Sequence, residues 1–436
     1  MKIAIITAGG AGMFCGSCMQ DNTLARTLRN VGHDVTLIPT YTPITVDEEN
    51  VSVDRVFLGG VNVYLDSTVP GWSRLPRLLK GWLDRPKILR QLTRRSSATD
   101  ASQLGGLTID MLKGNLGPQR DEIQQLVTWL VDDLKPNLIL FSNALLSGVV
   151  PTLRQRFGGK IVCLLQGDDV FLDALSPRWK NASIDLISKN SQHFDRLLTH
   201  SCWYADHISQ SMGLPRERVE QIPLSIDCEI PDFAADDHCN SPSKTIGYFA
   251  RICPEKGIGN FLNAIEQLAD TTDALQFRIA GFLPALHRVW FHKRLTEVQG
   301  AIGPNRLQWL RSSRTRTEKF QILKSFDVLC VPANYHEPKG LFMLEAALVG
   351  VPSLVPAHGA FPERISDLAQ GWTYPADSQD ALCQAIRTAS TATTSRMSEQ
   401  LQQSVRRKFS MDVTGPILSQ VLQDIVNEQQ ITQSPS

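Results

Sequence analysis

The chain has 436 residues, with 44 Lys+Arg balanced by 44 Asp+Glu, 42% hydrophobic and 20% charged residues; at roughly 100–200 residues per domain, that is a globular protein of two to three domains. A formal charge of zero argues against broad nucleic-acid binding, which draws its affinity from an excess of basic side chains. The nine scattered cysteines suit buried thiols in a reducing compartment better than a disulfide framework.

Short β-branched runs alternate with amphipathic stretches, the pattern of βα units around a mostly parallel sheet. The N-terminus opens into a strand, Lys2 to Thr7, without the basic leader, apolar core and small-residue cleavage site of a signal peptide. A glycine-rich loop follows, Ala8-Gly-Gly-Ala-Gly-Met-Phe-Cys-Gly-Ser-Cys18, and then a helix over Asn22 to Val31 that Gly32 stops. Further strands are expected at Asp34 to Ile38, Asn137 to Phe141, Lys160 to Leu165, Asp195 to Thr199 and Val219 to Ile222. Val51 to Phe57 and Val61 to Leu65, separated by Leu58-Gly-Gly60, read as a hairpin added to that plan. The longest apolar-leaning stretch, Leu138 to Val150, is interrupted by Ser142, Asn143 and Ser147 and is shorter than the roughly 20 residues of a membrane span. A cytoplasmic location is the expectation.

Around Asp227 to Ser243 the pattern lapses into Asp, Ala, Asn, Ser and Pro, which reads as a linker between two domains of similar build. Strands then fall at Thr245 to Phe249, Gln276 to Ala280, Arg306 to Leu310, Asp327 to Val331 and Pro352 to Val355. A helix near Asp412 to Asn427, with Leu418, Val421, Leu422, Ile425 and Val426 along one stripe, closes the chain before a tail, Gln430 to Ser436, of disordered composition. Two α/β domains place a cleft between the carboxyl ends of their sheets, and loops after parallel strands are where such folds bind ligands.

The most informative loop follows the strand ending at Val331. Glu337-Pro338 blocks helix before about Lys339, Leu341 to Val349 is helical, and Gly350 stops it. Glu337 therefore lies in the loop and Glu345 one turn inside the helix. The amides of Gly340, Leu341 and Phe342 form a helix N-terminus, which favours an anion. One carboxylate on each side of a phosphate-sized site can take hydroxyl pairs, a sugar at one end and a ribose at the other, the shape of a nucleotide diphosphate sugar. Two solvated helix-start acids would look the same in isolation. After Thr245 to Phe249 comes a loop with two cations, Arg251 and Lys256, able to neutralise a leaving diphosphate without a metal; a merely solvated Arg and Lys is the alternative. No Asp-x-Asp triplet, the common carboxylate device for a divalent ion in sugar transferases, occurs in the chain.

Glu337-x7-Glu345, Arg251-x4-Lys256, the glycine loop and Gln221-Ile-Pro-Leu-Ser-Ile-Asp227 occur in the order and spacing that resembles retaining glycosyltransferases of family 4, over Lys2 to about Leu422. The resemblance implies an α/β protein of GT-B fold, two Rossmann-like domains facing across a deep cleft. Residues 1–227 would bind the acceptor, 228–243 link, 244–410 bind the nucleotide sugar, 411–429 form a helix packing back toward the N-terminal domain, and 430–436 trail as a disordered tail. It implies catalytic roles for Arg251, Lys256 and Glu337. Gly10, Gly12, Arg251, Lys256, Glu337, Gly340, Leu341 and Glu345 would bind the donor, with Glu337 on the sugar hydroxyls, Glu345 on the ribose, and Arg251 and Lys256 on the diphosphate. The donor would be UDP- or GDP-linked, with no cofactor and no metal, the acceptor a saccharide or lipid-linked hydroxyl, and transfer would proceed with retention. A nucleotide-sugar epimerase of the same fold and a non-catalytic donor-binding scaffold are the alternatives.

Several segments leave choices open. A dinucleotide-binding reading of the glycine loop meets Cys15 where a third glycine is expected, and no acid ends the second strand at Ile38-Pro-Thr-Tyr41. Cys15-Gly-Ser-Cys18 invites a redox or zinc reading but has no second ligand pair; two thiols lining a loop is the plainer one. Gln166 stands where many members of the resembled family offer a histidine, so no proton-transfer role carries over, while Gln166, Asp168 and Asp169 remain candidate acceptor or sugar contacts, or one Asp caps the next helix. Lys339 departs from an apolar residue and either adds charge beside the diphosphate or points to water, and His358 and Gly359 could approach the phosphates. Residues 71–98 carry eight Arg or Lys against Asp84 alone, either a core-facing helical hairpin with a solvated basic face or a peripheral contact with anionic lipid.

Overall fold

The computed structural model describes residues 1–9, 15–58, 104–232, 243–269, 275–310 and 312–431. Gly10, Gly12, the basic stretch 71–98, the second arm of the expected hairpin, most of the expected linker and residues 432–436 lie outside the described residues. The chain divides into two compact units, Met1–Ser225 with Thr414–Ser436, and Ile226–Val413.

In the first unit six strands, β1 (Lys2–Thr7), β2 (Asp34–Pro39), β3 (Leu138–Phe141), β4 (Lys160–Leu164), β5 (Arg196–Thr199) and β6 (Val219–Gln221), form one parallel sheet in the order β2-β1-β3-β4-β5-β6. The strands read as apolar runs because both faces are covered. Successive side chains alternate between faces: Ile3 and Ile5 pack with Leu24 and Leu28 of the helix Gly16–Asn30 and with Leu418, Leu422 and Ile425 of the long helix Met411–Ile431. Ala4 and Ile6 pack on the other side with Ile123, Leu126, Ile187 and Tyr204.

Two expectations change here. Val51 to Phe57 forms no strand; Ser52 makes an isolated parallel bridge with Leu37, and the Val53 N–H donates to the Leu37 carbonyl at 2.9 Å, so the segment lies along the edge of β2 without a ladder. The first helix begins at Gly16 rather than Asn22, after Cys15 in extended backbone. Its first turns are polar yet buried at Gln20, Asp21, Asn22 and Thr23, which hides the apolar period that marks a helix.

In the second unit β7 (Lys244–Phe249), β8 (Leu275–Ala280), β9 (Leu307–Trp309), β10 (Val328–Cys330), β11 (Ser353–Pro356) and β12 (Trp372–Tyr374) form a second parallel sheet, order β12-β11-β10-β7-β8-β9. β12 was not expected from the sequence, because three residues between Gly371 and Pro375 are too few to show a period. Tyr248, Phe261 and Phe277 are fully buried, with ring centroids 5.6 and 6.2 Å apart. Among the described residues no helix is long and apolar enough to cross a membrane.

Each sheet grows from a central strand to one side and then crosses to the other, at β1/β3 in the first and β7/β10 in the second. Loops leaving the carboxyl ends of such a strand pair diverge and leave room for a ligand.

Candidate functional site

The loops after β7 and β10 are tied together by backbone. Gly257 has φ +72, and a Cβ there would collide with the Pro332 carbonyl oxygen, so only glycine allows this approach. The Asn334 N–H donates to the Glu255 carbonyl at 2.9 Å and the Asn334 Nδ2 to the Pro254 carbonyl at 2.8 Å. Beneath them the buried Tyr248 hydroxyl donates to the Arg251 carbonyl at 3.0 Å. The two tied loops thus present Arg251, which is exposed, and Lys256 after β7, and Glu337 after β10.

Glu337 is the centre of the cluster and is 5% exposed. Its Oε2 accepts from Lys256 Nζ at 3.1 Å and from the Tyr335 hydroxyl, which itself accepts from Lys256 Nζ. Its Oε1 accepts from the Gly340 N–H at 3.2 Å. Burial raises the pKa of this carboxyl, but the Lys256 ammonium, the Tyr335 hydroxyl and the Gly340 N–H outweigh it and hold Glu337 below the usual carboxylate range. It is not the solvated helix-start acid that the bare sequence allowed. Gly340, φ +73, precedes the helix Leu341–Leu348, so the amide expected to face a diphosphate is directed, in this structure, at Glu337, with Leu341 opening the helix behind it. The Tyr335 phenol is pushed above its ordinary range by burial and then by the Glu337 charge, which keeps it a donor.

Glu345 lies on that helix and is not simply solvated either, since its Oε1 accepts from Lys319 Nζ at 2.6 Å. Lys339 is buried, 5% exposed, which corrects the choice of a side chain in water: the turn into the helix carries it inward. His358 Nε2 lies 3.1 Å from the Ala333 carbonyl and its ring 4.7 Å from that of His336; burial, then His336, lowers its pKa. Gly359, φ +62, packs its Cα face on the Glu337 backbone, so His358 and Gly359 support the Glu337 loop.

In the first unit the loops after β1, β3 and β4 hold a second cluster. Asp21, fully buried, accepts from Thr7 Oγ1 at 2.6 Å and from Gln166 Nε2 at 2.8 Å. Gln166 Nε2 also donates to the Ser142 carbonyl at 3.3 Å. Asp168 accepts from the Ala144 and Gln166 N–H groups at 2.6 and 3.0 Å. Asp169 accepts from the Tyr204 hydroxyl at 2.6 Å and pairs with His207 Nε2 at 3.1 Å, while the Tyr204 hydroxyl accepts from the Gly167 and Asp168 N–H groups. Burial pushes the Asp168 carboxyl up to about 6, against those N–H bonds. Gln166, Asp168 and Asp169 are therefore brought together, as buried groups engaged with one another's loops. Both acids lie in the first turn of the helix Asp168–Asp173, which follows Gly167. Cys15 and Cys18 form no disulfide, and the Cys15 hydrogen bond, then burial, raises the Cys18 pKa.

Sequence reasoning missed Tyr335, Lys319, Asp21 and Tyr204. Tyr335 sits two positions before Glu337 in the segment that drew notice, and Lys319 interrupts an otherwise apolar helix face; the partners of both are set by tertiary contact.

Residues 232–408 match the family described as Glycosyl transferases group 1. The putative colanic acid biosynthesis glycosyltransferase WcaL of Escherichia coli (strain K12) is 23% identical over 291 residues, covering 61% of this chain and 64% of that protein, so the match spans less than two thirds of its length. Among solved structures, Anabaena Alr3699/HepE in complex with UDP superposes with a TM-score of 0.66 at 15% identity, over 97% of this chain and 100% of that one. Sucrose-phosphate synthase from Thermosynechococcus elongatus gives 0.68 at 16% identity, over 98% and 99%. At these identities the likeness is one of fold. The chain thus has the GT-B fold, and its residues 232–408 are similar to the glycosyl transferases group 1 family.

Proposed function

We propose that the protein transfers a sugar from a nucleotide diphosphate donor to an acceptor hydroxyl, with retention at the anomeric carbon and without a metal ion, in the manner of family 4. The observation that carries this reading is the Lys256–Glu337 pair at the switch point of the second sheet, 3.1 Å apart and backed by Tyr335 and the Gly340 amide. An ammonium has three N–H donors, and two of Lys256's are engaged, which leaves it able to add a phosphate oxygen. Glu337, held ionised, is a fixed acceptor for donor sugar hydroxyls, and Arg251 on the same loop adds a second cation. The group 1 match supports the reading, as does HepE, which was solved with UDP.

In this reaction the bond from the anomeric carbon to the diphosphate oxygen breaks with its electron pair on that oxygen. The acceptor oxygen attacks on the same face, and its proton passes to the departing phosphate. Fixed cations facing the developing charge lower this barrier because they need no reorganisation as it forms. The acceptor we propose is a saccharide or lipid-linked hydroxyl, in line with the polysaccharide role in the name of WcaL.

The test is a screen of UDP- and GDP-sugars with and without candidate acceptors, run with and without EDTA. Acceptor-dependent release of nucleoside diphosphate, unchanged by EDTA, is the expected result. Sugar conversion with the nucleotide still attached would make the protein an epimerase, and binding without turnover a scaffold. Lys256→Ala and Glu345→Ala should each lower donor affinity or turnover about tenfold or more, the loss of a charge-assisted bond of about 1.5–3 kcal/mol. Wild-type behaviour in both would refute the assignment.

A further inference from the structure

The helix Arg316–Lys324 follows β9 and packs its Phe320 and Leu323 into the second unit, with Thr315 Oγ1 accepting the Glu318 N–H at its start. Lys319 lies on the same buried face and is 4% exposed. A lysine is almost never so buried unless paired, and its Nζ reaches Glu345 Oε1 at 2.6 Å. An apolar residue at 319 would serve helix packing at no desolvation cost, and a buried ion pair is weak evidence of stability. What such a pair does provide is a fixed charge in a fixed place. The 2.6 Å contact with Lys319 restrains the rotation of the Glu345 carboxylate, whose side chain stays 12% exposed and so within reach of a ligand.

We propose that Lys319 is a positioning residue for the donor nucleotide: it holds the Glu345 carboxylate oriented so that it accepts the ribose hydroxyls. The inference rests on the reading of Glu345 as the ribose ligand given above. It makes the Lys319–Glu345 pair the determinant of ribose against deoxyribose, separately from Lys256, which acts on the diphosphate. Removing Lys319 takes away the ion pair that orients the carboxylate, so recognition of the hydroxyls weakens while the diphosphate contacts stay.

The experiment measures dissociation constants of the full chain for UDP and 2′,3′-dideoxy-UDP, and for GDP and its dideoxy analogue. The wild type should prefer the ribonucleotide of its base by about tenfold or more, the value of a charge-assisted hydrogen bond. In Lys319→Met that preference should fall toward one because the ribonucleotide weakens and the dideoxynucleotide does not. Lys319→Gln, milder for folding because it can still donate to Glu345, should fall part of the way, and Lys319→Arg should restore part of the preference. A wild-type preference in the Met and Gln variants, or in Gln alone should Met not fold, overturns the proposal. So does a parallel weakening of both nucleotides, which marks a structural role only. Glu345→Gln separates the two readings: if it keeps the wild-type preference, the ribose assignment itself fails, whereas if it abolishes the preference and the Lys319 variants do not, only Lys319 has been misassigned.

Discussion

Asp168, at the start of the helix after β4, and Glu337, in the loop after β10, are carboxylates of nearly equal burial, 1% and 5% exposed, and burial has opposite outcomes in the two. Asp168 accepts from two backbone N–H groups and is still pushed up to about 6. Glu337 accepts from one backbone N–H, a phenol and an ammonium, and is held below its ordinary value. Dipoles offset only part of the cost of taking a carboxylate out of water, and a full opposite charge offsets the rest. The first cluster therefore knits loops together with groups directed at one another, while the second keeps a stable negative charge beside cations. Of the two, the second has the electrostatics to grip a ligand that carries both hydroxyls and phosphates.

The most severe way to break the contrast is Lys256→Met, which leaves Glu337 as a buried charge without its cation. The second unit should lose about 3–5 kcal/mol, read from denaturant unfolding. Adding Glu337→Gln should recover most of that loss but none of the donor affinity. Equal instability in the single and double variants would mean that Lys256 stabilises by packing, and the two clusters would no longer differ in kind.

A smaller effect, with a sign that sharpens the contrast, comes from pH. The rise of Asp168 from 3.8 to about 6 corresponds to about 3 kcal/mol of preference for its neutral form. A carboxyl raised on folding contributes stability that is full below its unfolded value and lost as pH rises through its folded value, so the first unit should gain stability between about pH 6 and pH 4. Glu337 is lowered, so its contribution is present above its unfolded value of 4.5 and lost as pH falls. Asp168→Asn abolishes the first dependence. It also sets an NH2 against one of the two N–H donors, at a cost of about 1–3 kcal/mol. Its deficit relative to wild type, measured by urea unfolding, should therefore be larger at pH 4 than at pH 7. An equal deficit at both would show that Asp168 is not driven toward its neutral form.

The strands were legible because they are buried on both faces and so appear as plain apolar runs, and the Glu337 to Gly350 segment because Pro338 and Gly350 punctuate it. Glu337 and Lys256 were legible as a set, although not as partners of each other: their side chains meet only because Gly257 lets one strand-end loop rest on the other at Pro332. The helix start at Gly16 was hidden because Asp21 and Asn22 are buried polar residues whose partners, Gln166 and the Glu49 carbonyl among them, come from distant loops. Lys319 was overlooked for the same reason. Local pattern records which face is apolar, and these residues are polar groups placed on apolar faces by contacts that have no period.

The smallest expected effect tests the rim of the first cluster. His207 Nε2 lies 3.1 Å from Asp169 Oδ2, with the histidine side chain 32% and the aspartate 9% exposed. Asp169 also accepts from the buried Tyr204 hydroxyl at 2.6 Å, so losing the imidazole does not leave the carboxylate without a donor. A partly solvated pair of this kind contributes about 0.2–1 kcal/mol. His207→Gln should therefore shift the unfolding free energy by no more than that. Tyr204→Phe at the same carboxylate removes a buried donor and also the acceptor of the Gly167 and Asp168 N–H groups, and should cost more. If His207→Gln proved the costlier of the two, Asp169 would depend on the imidazole rather than on the buried phenol, and the first cluster would not be held together by its buried groups.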